Sequence, residues 1–375
     1  MSPLVVAHFI NPFLPITQNW MYHQLRFNAA CRQIVLCQTL ENTDLFPGIA
    51  TFPAFRKNHC FARASMVLTR ARAQYFSGHY LKVIKREKAN ILHGHFSWES
   101  WRNFGLIKKT GLPLVTTFYG LDVNKLARLP RWRRRYKLLF QRGEVFTVEG
   151  PHMAAALGAI GCPENKIRVV PIGVDVEKIS ASVAQKDPFV IKIMFVGLER
   201  EKKGPLYAAK AYAFVAQKYK NIELHIVGNG PFSAPVRKLL AHSEVLDQCI
   251  FHGYVSFDEY CALLGRMDVV LAPSVTAPNG DTEGGAPVVV IEAQAAGTPV
   301  VATNHCDIPN VVVHNKTGLL CGERDVDALA RNLELLVLDR GLREKFGSAA
   351  RVHAREHFSI QRQVKDLNDI YRSLV

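Results

Sequence analysis

The chain reads as an α/β protein of two doubly wound, Rossmann-like domains in tandem, and three observations predict it. Strand-like apolar runs alternate with helix-like segments along the whole sequence, the pattern of parallel sheets covered on both faces. A length of 375 residues is long for one domain and natural for two. A polar, strand-free stretch over 173–188 interrupts the alternation near its middle. The N-terminal domain is therefore assigned to residues 1–180 and the C-terminal one to 188–356, with 357–375 as a last helix crossing back to the first domain. Ligands of open α/β sheets lie beyond the carboxyl ends of the strands, so the expected site is a central cleft that both domains face.

Taken in order, Leu4–Ile10 opens as a strand, Trp20–Ala30 as a helix and Gln33–Gln38 as a strand. Residues 60–88 form a long basic helical region broken near Gly78. A strand from Ile91 ends at His93-Gly94-His95-Phe96. Helix Ser97–Lys109, strand Leu114–Phe118 and a loop from Tyr119 to Asp122 follow. A basic helix over Arg131–Arg142, strand Val145–Val148, helix Gly150–Ile160 and strand Ile167–Pro171 complete the first half. The second half repeats the plan, with strands at Ile191–Val196, Glu223–Val227, Ile250–Phe251 and Val269–Pro273. Helices are expected at Leu206–Tyr219, Pro235–His242 and Tyr260–Gly265, then at 325–338, 342–356 and 360–374.

The most informative stretch is Ser274–Thr303. Ser274–Ala286 is a loop by its Pro, Asn, Asp and Gly content. Pro287–Ala296 reads as a helix, capped by Gly297, and Pro299–Thr303 as a short strand. A glycine-rich loop at a helix N-terminus offers free N–H groups and a positive dipole end, hence an anion site, most often for phosphate. Glu292 lies about 7.5 Å along that helix and Glu283 lies in the loop. Phosphates at the helix mouth would set a ribose against Glu292 and a sugar near Glu283. Arg200, Lys202 and Lys203, with Gly204, follow a strand and open a helix, where cations can reach a diphosphate. Gly228-Asn229-Gly230 lacks the third glycine of a dinucleotide loop and reads as a plain turn.

Composition narrows the class. A hydrophobic fraction of 48% supports packed cores. The 8 cysteines have no metal-ligand spacing and read as reduced and buried. No signal peptide and no spanning segment is expected. Residues 1–182 carry 25 Lys+Arg against 10 Asp+Glu, whereas 183–375 carry 22 of each, so the excess of +15 lies in the first half. It peaks at Arg128–Lys137, with Trp132 and Tyr136 interleaved, which suits an anionic membrane surface or acceptor better than nucleic acid. His93 reads as a core residue at a strand end, His95 as a candidate for the cleft. Tyr119 and Asp122 are candidates for sugar hydroxyls, with Gly120 allowing close backbone approach. No serine-hydrolase elbow, zinc motif or P-loop is present.

The succession FVGLEREKKG, LHIVGNGP, FHGYV, APS, EGGAPVVVIEAQAAGTPVVAT and DIPNVVVHNKTGLL resembles the C-terminal domain of family-4 retaining glycosyltransferases of GT-B architecture. HGHF, TTFYGLDV and PIGVDVEKI extend the likeness into the first half. Enzymes of colanic acid and amylovoran type exopolysaccharide assembly share the GDTEGGAP-like loop.

The resemblance implies that Glu292 binds the ribose of a UDP- or GDP-linked sugar, and that Glu283 with the backbone of Gly284, Gly285, Ala286 and Pro287 holds the donor sugar and its phosphate. Arg200 and Lys203 would neutralise the leaving diphosphate. Tyr254 and Val255 would flank the base, and His95, Tyr119 and Gly120 would face the donor sugar or acceptor. It further implies a hexosyltransferase with no metal and no cofactor beyond the donor, a lipid-linked or oligosaccharide acceptor, and a place on the inner face of the cytoplasmic membrane. A sugar phosphorylase or a non-catalytic nucleotide-sugar or nucleic-acid binding protein are the alternatives.

Four departures stand out. Eight residues separate Glu283 from Glu292 where the family has seven. Leu198 stands where the family has an arginine, Tyr119 where it has a histidine, and NPFLPITQNW replaces the N-terminal glycine-rich loop.

Overall fold

The computed structural model describes residues 4–15, 18–54 and 69–375. The chain divides into two compact units. The first comprises 1–149, 154–173 and 360–375, and the second 150–153 and 174–359.

The first unit holds a seven-stranded parallel sheet: β1 (Val5–Phe9), β2 (Arg32–Cys37), β3 (Ala50–Pro53), β4 (Ile91–His95), β5 (Leu114–Thr117), β6 (Val145–Val148) and β7 (Ile167–Val169). Their order in the sheet is β3-β2-β1-β4-β5-β6-β7, which reverses direction between β1 and β4. Strands β1 and β4 are buried along their whole length, as expected for central strands covered on both faces.

The helix Ile360–Arg372 packs on this sheet. Leu367 and Tyr371 join Val6, Ile91, Val115, Val145 and Val170 in one apolar cluster. Its buried residues, Ile360, Gln363, Val364, Leu367, Asn368 and Tyr371, recur every three or four positions, which makes a single helix face.

The second unit has a six-stranded parallel sheet: β8 (Ile191–Val196), β9 (Ile222–Val227), β10 (Cys249–Gly253), β11 (Val269–Ala272), β12 (Val300–Thr303) and β13 (Gly318–Cys321). The order β10-β9-β8-β11-β12-β13 reverses between β8 and β11. The loops after β8 and β11 thus leave the sheet side by side at the reversal, where open α/β sheets build ligand sites. The helix Pro205–Lys218 follows β8. Gly204 before it has φ 69°, and a Cβ there would lie 2.0 Å from the Pro273 carbonyl oxygen, so only glycine lets the two loops close up. The helix Val288–Ala296 follows β11 and ends on Gly297, which is left-handed at φ 72°.

Several elements differ from the sequence reading. The edge strands β3 and β13 and the short helix Ile308–Val311 carry too few residues to show a period. Tyr119–Asp122 is not a loop: Gly120–Asn124 is a helical turn begun by Tyr119. A helix, Val176–Ala181, lies within the polar stretch before β8. The helix Thr69–Arg86 runs unbroken through Gly78, and the expected helical residues 60–68 fall outside the described ones. In the basic helix Pro130–Arg142, Trp132 and Tyr136 are buried and do not face solvent. The exposed apolar residues there are Leu129 and Leu138.

Candidate active site

The second unit gathers its charged groups at the sheet reversal. The turn Glu201–Lys203 brings Arg200, Lys202 and Lys203 against the loop that follows β11. Lys203 Nζ donates to Glu283 Oε2 at 3.1 Å, and Lys202 Nζ stands 3.6 Å from the same oxygen. Ser274 Oγ donates to Glu283 Oε1 at 2.9 Å. Lys202 Nζ also donates to the Thr282 carbonyl at 2.8 Å, and Arg200 meets Asp281 Oδ2 at 3.3 Å. A backbone bond from Val275 N–H to the Lys202 carbonyl, 2.8 Å, ties the two loops directly.

Burial works against the Glu283 charge. The charges of Lys203 and Lys202 and the bonds from Lys203 and Ser274 outweigh it and hold the carboxyl at about 2. Glu283 is thus an anion with its lone pairs committed to fixed donors. Lys203 and Arg200 keep partly exposed ends, with side chains 27% and 58% accessible. The turn therefore presents cations that an incoming anion can engage.

Glu292 sits in the second turn of the helix Val288–Ala296 and is buried. Its carboxylate accepts the Tyr260 hydroxyl at 2.8 Å. Burial raises its carboxyl to about 7, against the opposing Tyr260 bond and Lys203 charge. Lys203 therefore acts on both glutamates. Gly284, Gly285 and Pro287 are buried in the loop, with Ala286 half-buried, and Pro287 is the residue that caps the helix. Tyr254 is exposed, and its hydroxyl bonds Glu199 Oε1 at 2.6 Å and the Asn229 carbonyl at 3.0 Å. Val255 is half-buried beside it.

Sequence reasoning missed the groups that shape the loop. His305, two residues past β12, accepts the Glu283 N–H on Nε2 at 3.1 Å, which leaves the proton on Nδ1, 2.6 Å from Glu323 Oε1. Glu323 also accepts the Thr276 N–H at 2.8 Å. One carboxylate thereby fixes both ends of the loop. Asp281, Tyr260 and Ser274 were likewise not singled out. Their partners come from elsewhere in the chain, and no local pattern marks them.

In the first unit the three candidates His95, Asp122 and Gly120 are all buried. His95 is fully buried, with Nε2 3.0 Å from His8 Nδ1 and Nδ1 3.0 Å from the Tyr119 hydroxyl. Both of its ring nitrogens are thereby engaged, one by His8 and one by the Tyr119 hydroxyl. Asp122 is fully buried and already accepts three bonds, from the N–H groups of Ser97 and Tyr119, both at 3.0 Å, and from the Ser97 hydroxyl. Burial lifts its carboxyl to about 7. Gly120 is buried in the first turn after Tyr119.

Two family models match the chain, "Glycosyl transferases group 1" over residues 177–353 and "Glycosyltransferase Family 4" over 51–178. The putative colanic acid biosynthesis glycosyltransferase WcaL of Escherichia coli (strain K12) is 34% identical over 251 residues, 66% of this chain and 61% of WcaL. The amylovoran biosynthesis glycosyltransferase AmsK of Erwinia amylovora is 33% identical over 216 residues, 58% of this chain and 53% of AmsK. The chain thus spans between half and two thirds of these relatives. Among solved structures, Anabaena Alr3699/HepE in complex with UDP superposes with a TM-score of 0.78 at 15% identity, over 99% of this chain and 100% of that one. Both sheets have the Rossmann-like form of GT-B proteins, and the two matched regions together run from residue 51 to 353: the chain belongs to the family-4, group 1 glycosyltransferases.

Proposed function

We propose that the protein is a retaining glycosyltransferase of exopolysaccharide assembly that takes a sugar from a UDP- or GDP-linked donor. One observation carries this reading: Lys203, Lys202 and Arg200 surround the buried Glu283 at the sheet reversal of the second unit. Charge grows on the leaving diphosphate as the glycosidic bond breaks. Lys203 and Arg200, beside the first turn of the helix Val288–Ala296, are the groups to stabilise it, an oxyanion-type role that needs no metal. Glu292 takes the ribose hydroxyls and Glu283 orients the sugar. The leaving phosphate accepts the proton of the attacking hydroxyl.

The acceptor in this reading is an oligosaccharide, lipid-linked, met at an anionic membrane surface. No helix of the described residues is long and apolar enough to cross a membrane. Arg131, Arg133, Arg134 and Lys137 are all exposed, with Leu129 and Leu138 beside them. This is a face suited to the inner leaflet, at about 1 kcal/mol per basic residue.

A thermal-shift panel of UDP- and GDP-sugars identifies the donor, and Glu292→Ala should then abolish its turnover while leaving the fold intact. Transfer persisting in that variant would refute the site. Turnover that required free phosphate would point to a phosphorylase instead.

A further inference from the structure

The loop after β11 holds a second buried carboxylate, Asp281, to which the reading above gives no part. Arg200 meets its Oδ2 at 3.3 Å, and Lys202 Nζ stands 3.7 Å from its Oδ1. The second distance is that of an ion pair and too long for a hydrogen bond. Among the described residues no group donates to Asp281 Oδ1. A buried carboxylate oxygen with no donor lowers stability, so folding alone does not account for a carboxylate here.

The turn that carries Asp281 does not depend on Arg200 for its shape. Ala277 N–H donates to the Asp281 carbonyl at 2.9 Å, Gly280 N–H to the Ala277 carbonyl at 2.8 Å, and Asp281 N–H to Asn279 Oδ1 at 2.9 Å. Gly280 takes the left-handed conformation, φ 77°, that this closure needs. Asp281 is therefore fixed by its own turn. Lys202 is 15% exposed and tied to the Thr282 carbonyl, and Lys203 is bonded to Glu283. The Arg200 side chain, 58% exposed, is the cation with most freedom to move.

Three cations against two carboxylates leave this group a surplus of one positive charge. A nucleoside diphosphate carries more negative charge than that surplus neutralises. Bidentate engagement of a phosphate draws the Arg200 guanidinium toward the ligand. Asp281 pulls it back, and from a buried position its charge also opposes the anion, because screening by water is weak there.

We propose that Asp281 is a positioning residue of opposing charge. In the resting protein it holds Arg200 at the sheet reversal, and in the complex it loosens the grip on the nucleoside diphosphate left after transfer, so that this product can depart. The identity of the anion rests on the glycosyltransferase reading; the competition between Asp281 and an anion for Arg200 does not.

Titration calorimetry of the full chain with UDP and with GDP tests it, on the wild type, Asp281→Asn, Arg200→Gln and the double variant. For the nucleotide that the wild type binds, Asp281→Asn should tighten binding about tenfold. Binding of the parent nucleoside, which has no phosphate, should stay unchanged. Asp281→Glu, which keeps the charge, should show no tightening. In the Arg200→Gln background the gain from Asp281→Asn should be much smaller, because the two residues act through one contact. In turnover, Asp281→Asn should lower kcat and KM together, as the product is held longer. Unchanged or weaker diphosphate binding in Asp281→Asn, an equal gain for the nucleoside, a full gain without Arg200, or a kcat at or above the wild-type value overturns the proposal. If Asp281→Asn does not fold, Asp281→Ser takes its place, and failure of both to fold makes Asp281 a structural residue and overturns the proposal too. If the wild type binds neither nucleotide, the donor reading fails. Inorganic pyrophosphate in the same titrations then decides the competition, and a pyrophosphate affinity not raised by Asp281→Asn overturns it.

Discussion

Lys203 Nζ lies 3.1 Å from Glu283 Oε2, and this ion pair joins the loop after β8 to the loop after β11 where the strand order reverses. The Glu283 side chain is only 5% exposed, so the pair is an interior one. Removing one partner strands the other as a buried charge, which generally costs about 3–5 kcal/mol. Lys202, 3.6 Å away, partly substitutes. Lys203→Ala should therefore destabilise the protein toward the lower end of that range, and the double variant with Glu283→Ala should cost less than the two singles together. Chemical denaturation of the four proteins in the cycle measures the coupling. Strict additivity would mean the pair is not coupled.

The same carboxylate sets an acid limit. The folded Glu283 carboxyl, at about 2, lies below its ordinary value of 4.5. Its contribution is present above pH 4.5 and is lost as pH falls through the folded value. By linkage it amounts to on the order of 3 kcal/mol. The stability gap between wild type and Glu283→Gln should shrink steadily from pH 5 to pH 2. A gap constant over that range would contradict the assignment.

Glu292 has the opposite sign. Its folded value of about 7 lies above 4.5, so the folded state holds a proton that the unfolded state has released. The stability this provides is complete below pH 4.5 and is lost as pH rises through 7. Glu292→Gln, which keeps an acceptor for the Tyr260 hydroxyl, should thus gain on the wild type between pH 6 and 8 in thermal denaturation. Tyr260→Phe removes the bond that favours the charged form and should enlarge the loss of stability at alkaline pH. A wild type whose stability does not decline across this window would argue against a raised Glu292.

His305 offers a test of loop positioning. Substitution by Ala removes the acceptor of the Glu283 N–H and the partner of Glu323 together. The expected cost is about 1–3 kcal/mol, since the Glu283 N–H and the half-buried Glu323 carboxylate both lose a partner. Donor turnover should fall more than nucleotide affinity, because the loop around Glu283 moves while Glu292 stays on its helix. Equal losses in kcat/KM and in nucleotide affinity would point to general unfolding of the site.

The basic helix makes a prediction of its own. Arg131, Arg133, Arg134 and Lys137 are exposed, whereas Arg135 lies over the Trp101 and Trp132 rings. Replacing the first four by Ala should abolish cosedimentation with vesicles rich in phosphatidylglycerol, and added salt should weaken wild-type binding. Arg135→Ala should instead lower stability, by loss of its cation–π contacts. Vesicle binding unaffected by the fourfold change would remove the membrane from the proposal.

The sequence by itself determined the repeated strand–helix order, the run of cations after β8 and the glycine-rich loop that leads into the helix bearing Glu292. These are local signals: apolar periods, turn residues, and charge adjacent to glycine. It also led to Glu283 and Lys203 as separate candidates. Only the tertiary structure decided their neighbours, because the pairing of β8 with β11 brings residues some 80 positions apart into one ion pair. It likewise decided that His95 lies behind Tyr119, that Trp132 and Tyr136 face inward, and that His305 and Glu323 fix the Glu283 loop. Burial and partner choice depend on contacts between distant strands, and no window of sequence contains both members of such a contact.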